Sequence, residues 1–238
     1  MTKFIAILSG KGGVGKTTSA VNLGLAMAKQ GQKVVVLDGN LSSPNLSIHL
    51  GSTYYPVTIH DVMQDKSHIR NAVYRHPTGL KIIPADVSIE AMKLVDFDKL
   101  NQNIQDLHLE TDYLLIDGSP GLGRETTKLL EMADEVIIIT NPDEAAVLDA
   151  KRLVEFAKYF KKTITGVVVT KIRKRLHHKK IDEIEKYLET PIIAKIPHDH
   201  KFEKALHQRT PYLHIYPRKK ASKEYHKLAG KITGRIFQ

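Results

Sequence analysis

Between an apolar run at residues 4–8 and a helix-length amphipathic segment lies GKGGVGKT, Gly10 to Thr17, an unbroken match to the pattern GxxxxGK[ST]. The pattern constrains the fold because it works only as the turn between a strand and a helix. Gly10, Gly12, Gly13 and Gly15, with Val14 among them, let the backbone curl so that successive N–H groups point inward, and the start of the next helix adds a positive dipole end. In that setting Lys16 reaches the β- and γ-phosphates of a nucleoside triphosphate, and the Thr17 hydroxyl ligates Mg2+ with Thr18 beside it. The plain alternative is a glycine-rich connector that binds nothing, which requires position, spacing and both polar residues to coincide.

The rest of the chain supplies the context the motif needs. Short β-branched runs recur at residues 33–37, 80–83, 113–116, 136–139, 163–169 and 192–196, several of them continuously apolar, as strands buried on both faces are. Segments of helical length and period separate them, at residues 17–30, 143–160 and 180–188. The alternation predicts an α/β fold, a mainly parallel central sheet with helices on both faces. No Pro- or Gly-rich linker interrupts the 238 residues, so one domain is expected over 1–238.

Cysteine is absent, which excludes disulfides, thiolate metal sites and cysteine nucleophiles. The run at residues 4–8 is too short for a signal peptide's apolar region, and no run approaches the roughly 20 apolar residues that span a bilayer. The expectation is a cytoplasmic protein. The net charge of +10 sits in two patches: residues 171–180 hold six Lys or Arg and no acid, and residues 218–238 hold seven against Glu224 alone.

Two further acids close the site. Asp38 ends the second predicted strand, before Gly39, Asn40 and the segment LSSPNLS, and Asp117 ends the apolar strand Tyr113 to Ile116, before Gly118, Ser119, Pro120 and Gly121. Acids at the C-terminal ends of central strands face the ligand crevice of an open α/β sheet, so both are candidates for the Mg2+ shell.

The additional lysine of KGGVGKT, Lys11, carries a resemblance. The sequence resembles the MinD/ParA class of P-loop ATPases with a deviant phosphate loop, and within it archaeal MinD-like proteins; TNPDEAAVLDA (Thr140 to Ala150) and AKIPHDH (Ala194 to His200) extend the likeness over nearly the whole chain. The resemblance implies an ATP-dependent homodimer in which Lys11 reaches the partner's nucleotide, and a slow ATPase that positions a structure such as the division site. In relatives a carboxylate that helps place the attacking water stands where this chain has Asn40. A neutral amide orients water but is a poor proton acceptor, so slow turnover is expected.

On the base side relatives use an Asn where this chain has Thr170 followed by Lys171, while Pro197 and Asp199 match the second loop that frames adenine. The partners implied are an unidentified activator or cargo protein and a surface. A C-terminal helix at 221–238, with Tyr225, Leu228, Ile232 and Ile236 on one face and Lys227, Lys231 and Arg235 on another, is read first as docked on the core and second as peripheral on anionic lipid at the inner face of the membrane. The patch with Lys171, Arg173, Lys174 and Arg175 suits nonspecific contact with DNA phosphates. The alternative to a positioning ATPase is thus an ATP-dependent dimeric scaffold, or a ParA-like DNA-binding protein, with negligible hydrolysis.

Overall fold

The computed structural model describes residues 2–52, 54–93, 95–108, 110–173 and 178–234, without the side chains of His178 and Lys179. Its strands are β1 (Lys3–Ser9), β2 (Val34–Asp38), β3 (Tyr74–Arg75), β4 (Lys81–Ile83), β5 (Tyr113–Pro120), β6 (Glu135–Thr140), β7 (Thr163–Ile172) and β8 (Ile192–Pro197). They form one eight-stranded sheet in the order β3-β4-β2-β5-β1-β6-β7-β8. All neighbours pair in parallel except the antiparallel β3 and β4. The mainly parallel α/β sheet expected from the sequence is what the chain forms. The edge strand β3 has only two residues, too few to carry a period in the sequence.

The helices are α1 (Lys16–Lys29), α2 (Leu46–Leu50), α3 (Ile59–Met63), α4 (Ile89–Met92), α5 (Phe97–Ile104), α6 (Arg124–Met132), α7 (Glu144–Tyr159), α8 (His178–Leu188), α9 (Lys201–His207), α10 (Tyr212–Ile215) and α11 (Lys220–Thr233). Strand residues alternate between two cores. Phe4, Ala6 and Leu8 of β1 join Leu100 of α5, Leu130 of α6 and Leu153 of α7 on one face. Ile5 and Ile7 join Leu23 and Met27 of α1 and Tyr225 and Leu228 of α11 on the other. A strand apolar at every position is thereby consumed on both sides.

The described part of α11 docks on the core. Tyr225 is buried with its hydroxyl 3.1 Å from Ser19 Oγ of α1, and Lys231 Nζ donates to Ile193 O of β8 at 2.7 Å. Arg235, Ile236 and Phe237 lie outside the described residues. Among the described residues no helix is long and apolar enough to cross a membrane.

Candidate nucleotide-binding site

Strand β1 runs through the centre of the sheet, so the loop leaving its C-terminal end opens between the ends of β5 and β6. That loop, residues 10–15, enters α1 at Gly15, whose φ of 93° is a left-handed conformation natural to glycine. Gly15 offers no capping side chain, and the first turn of α1 contains no acid. The free N–H groups there are the kind that hold an anion. Gly10 is needed for clearance instead: a Cβ on it would lie 2.4 Å from the backbone oxygen of Asp149 in α7.

Beside the loop lies a cleft of about 1000 Å3. Gly12, Gly13, Gly15, Lys16, Thr17 and Thr18 line it together with Asn40, Lys171 and Asp199. Gly10, Lys11, Val14, Thr170 and Pro197 are not among its lining residues. Lys16 is almost wholly buried, and its Nζ donates to Asp117 Oδ1 at 2.7 Å. Asp38 and Asp117 are register partners on β2 and β5, both fully buried. Burial and the neighbouring Asp117 charge push the Asp38 carboxyl up to about 7, against the pull of the Leu46 N–H and Lys16. Asp38 also organises the loop after β2, accepting from the N–H groups of Leu46 at 2.9 Å, Asn45 at 3.1 Å and Asn40 at 3.3 Å.

These residues fit a hydrated Mg2+ ion. Asp117 Oδ2, on the carboxylate bonded to the cleft residue Lys16, and Ser9 Oγ, which lines the cleft, are buried with no hydrogen-bond partner among the described residues, and the charge penalty on Asp38 is one that a cation relieves. Among the described residues no group of three or more His, Cys, Asp or Glu forms a protein-only metal cage. Mg2+ takes few protein ligands and fills its shell with phosphate and water, so Thr17, Asp38 and Asp117 would be enough to hold it.

Lys11 stands apart at the rim, its side chain about half exposed and its Nζ 3.5 Å from Asp143 Oδ1 at the start of α7. The Ala146 N–H, and after it Lys11, hold the Asp143 carboxyl below the usual range. Thr170 is turned inward: its hydroxyl lies 2.5 Å from Val14 O and 3.1 Å from Thr140 O, so it ties the phosphate loop to β6. Lys171, at φ 53°, donates from Nζ to Gly13 O at 2.6 Å. Both residues, near the C-terminal end of β7, therefore contact the backbone of the phosphate loop. Arg173 is exposed, while Lys174 and Arg175 lie outside the described residues. Pro197 ends β8.

A sequence profile described as ParA, NUBPL iron-transfer P-loop NTPase, matches residues 1–233. The chain belongs to this ParA family. An ATP-binding protein of Methanocaldococcus jannaschii is 35% identical over 234 residues, covering 98% of this chain and 89% of its own. The septum site-determining protein MinD of Thermotoga maritima is 30% identical, covering 98% and 89%. Among solved structures, the cell division ATPase MinD of Pyrococcus furiosus superposes with a TM-score of 0.90 at 30% identity, over 98% of this chain and 99% of that one. MinD of Pyrococcus horikoshii, solved with Mg-ADP, superposes with a TM-score of 0.89 at 29% identity, over 98% and 96%. The iron transfer in the profile's description has no thiolate to work with here, since this ParA-family chain has no cysteine.

Several cleft residues of this ParA-family chain escape sequence reasoning. Phe202 of α9 and Tyr212 of α10 stack at 3.9 Å between ring centroids and line the cleft. The Tyr212 hydroxyl donates to Asp199 Oδ2 at 2.7 Å. Burial pushes Asp199 up, but the Lys201 N–H and this hydroxyl outweigh it and hold the carboxyl below its usual range. Glu125 joins the loop after β2 to the end of β5, since it accepts from Ser42 and from Ser119. An aromatic residue or a first-turn acid looks in sequence like ordinary helix content.

Proposed function

We propose that this chain binds Mg-ATP in the cleft, closes into a homodimer around it, hydrolyses it slowly and, as the ATP-bound dimer, positions a cellular structure such as the division site. The observation that carries the reading is the division of labour between two lysines. Lys16 is spent inside the subunit on Asp117, whereas among the described residues Lys11 is held at the rim by an exposed ion pair, available to serve phosphates presented by a second copy. Asn40 at the cleft, where relatives carry an acid, supports slow turnover. The activator or cargo protein would engage the dimer in the cytoplasm or at the inner face of the membrane.

The second reading, a dimeric scaffold with negligible hydrolysis that holds DNA, draws on exposed Arg173 and the basic run that follows it. Lys171 favours it less, being engaged with Gly13 O. Steady-state hydrolysis measured alone, with anionic vesicles and with DNA, alongside size-exclusion light scattering with ATP and Mg2+, separates the two. Mg2+-dependent turnover by an ATP-dependent dimer is expected; a monomer in every nucleotide state, or no turnover under any condition, rejects the first reading.

A further inference from the structure

Asn40 and Glu125 meet through a single hydroxyl. Asn40 Nδ2 donates to Ser43 O at 2.5 Å, which fixes the amide and turns its Oδ1 toward Ser119, 3.0 Å away. Ser119 Oγ also bonds Glu125 Oε2, while Glu125 Oε1 accepts from the Ser42 N–H at 3.0 Å and from the Ser42 hydroxyl. Each carboxylate oxygen thus serves one loop: Oε1 the loop after β2, Oε2 the end of β5.

Counting protons makes the arrangement informative. The Asn40 oxygen and an ionised carboxylate only accept, and Ser119 has one proton to give. The carboxylate is the stronger acceptor, so that proton belongs to Glu125. Among the described residues Asn40 Oδ1 and the Ser119 lone pairs are then adjacent acceptors to which no donor is left, and Asn40, though neither Ser119 nor Glu125, lines the cleft that Lys16 and Thr17 enter. A water molecule seated between them would donate to both.

We propose that Glu125, acting through Ser119, takes the proton of hydrolysis in place of the carboxylate that Asn40 does not provide. The inference rests on the ATPase reading above. The water oxygen forms a bond to the γ-phosphorus as the bond from that phosphorus to the bridging oxygen breaks, and the bonding pair leaves with ADP. The water proton passes to Ser119 Oγ while the Ser119 proton passes to Glu125 Oε2, so the hydroxyl is regenerated and one proton rests on the carboxylic acid until solvent takes it. An acid in the first turn of α6 would also sit there for the helix dipole alone, and that role makes a different prediction.

The test is hydrolysis of Mg-ATP by the full chain and its E125Q, S119A and E125Q/N40D variants, with kcat and KM separated and folding checked by circular dichroism and melting. E125Q and S119A are expected to lower kcat about 100-fold, the lower range for a lost general base, with KM within about two-fold. E125Q/N40D is expected to recover at least the wild-type rate, because the new carboxylate takes the proton directly. Should E125Q fail to fold, S119A carries the same expectation. Wild-type kcat in E125Q, or a double variant as slow as E125Q, overturns the relay while leaving the ATPase reading intact. A wild-type protein without Mg2+-dependent turnover overturns both.

Discussion

Lys16 Nζ and Asp117 Oδ1 are 2.7 Å apart with both side chains buried, and Asp38 stands on the neighbouring strand in register with Asp117. One ammonium therefore serves two carboxylates. Lys16→Ala leaves them uncompensated, and breaking such a pair costs about 3–5 kcal/mol. Urea unfolding of the nucleotide-free protein is expected to show a loss of that order, and calorimetry no heat with Mg-ATP. A midpoint unchanged from wild type would mean that Lys16 is not electrostatically essential.

The rim lysine behaves in the opposite way. The Lys11 to Asp143 pair is solvent-exposed, and such pairs contribute about 0–1 kcal/mol. Lys11→Ala is expected to leave unfolding essentially unchanged and to abolish the dimer that the proposed function expects with ATP, read by sedimentation. A variant that still dimerises with ATP removes Lys11 from the interface.

Thr170→Val keeps the shape at the end of β7 but removes the hydroxyl that bonds Val14 O and Thr140 O. Leaving buried carbonyls unpaired costs about 1–3 kcal/mol. A destabilisation of that order is expected in chemical unfolding, with weaker Mg-ADP binding by calorimetry because the phosphate loop loses an anchor. Equal stability and affinity in the variant would show that Thr170 has no such part.

Histidine 60 sets part of the acid response. It is buried in α3, its Nδ1 accepts the Asp86 N–H at 3.0 Å, and burial lowers its pKa below the ordinary 6.5, only partly offset by Asp86 and Asp61. A histidine whose folded pKa is lowered contributes stability that is fully present above 6.5 and is lost as pH falls through that value toward the folded pKa. The melting temperature is therefore expected to drop as pH falls below 6.5, and the slope to be shallower in His60→Gln. Identical slopes would place the proton elsewhere.

What the sequence made legible was whatever is written in consecutive residues. The phosphate loop needs eight adjacent positions, and β1, β5 and β6 announce themselves by apolar runs that only double-sided burial explains. Asp38 and Asp117 could be named because strand ends can be located, although their mutual register could not. The link from Asn40 to Glu125 spans three separate segments and depends on an amide rotamer, so no local pattern encodes it. Thr170 reads as a base-side residue because its place after the apolar run 163–169 is visible in sequence, while the direction of its hydroxyl is set by how Val14 approaches from 156 residues away. The stacked Phe202 and Tyr212 belong to short helices whose composition gives no hint of the cleft between them and α1.

The first glycine of the phosphate loop has a wider significance. Its neighbour is the main chain of α7, with no flexible side-chain tip to swing aside, so α7 and the loop cannot be adjusted independently. Any displacement of α7 toward the loop therefore meets the Gly10 backbone directly. Conversely, grafting this loop onto another scaffold would succeed only if a helix were set back by the width of a missing methyl group.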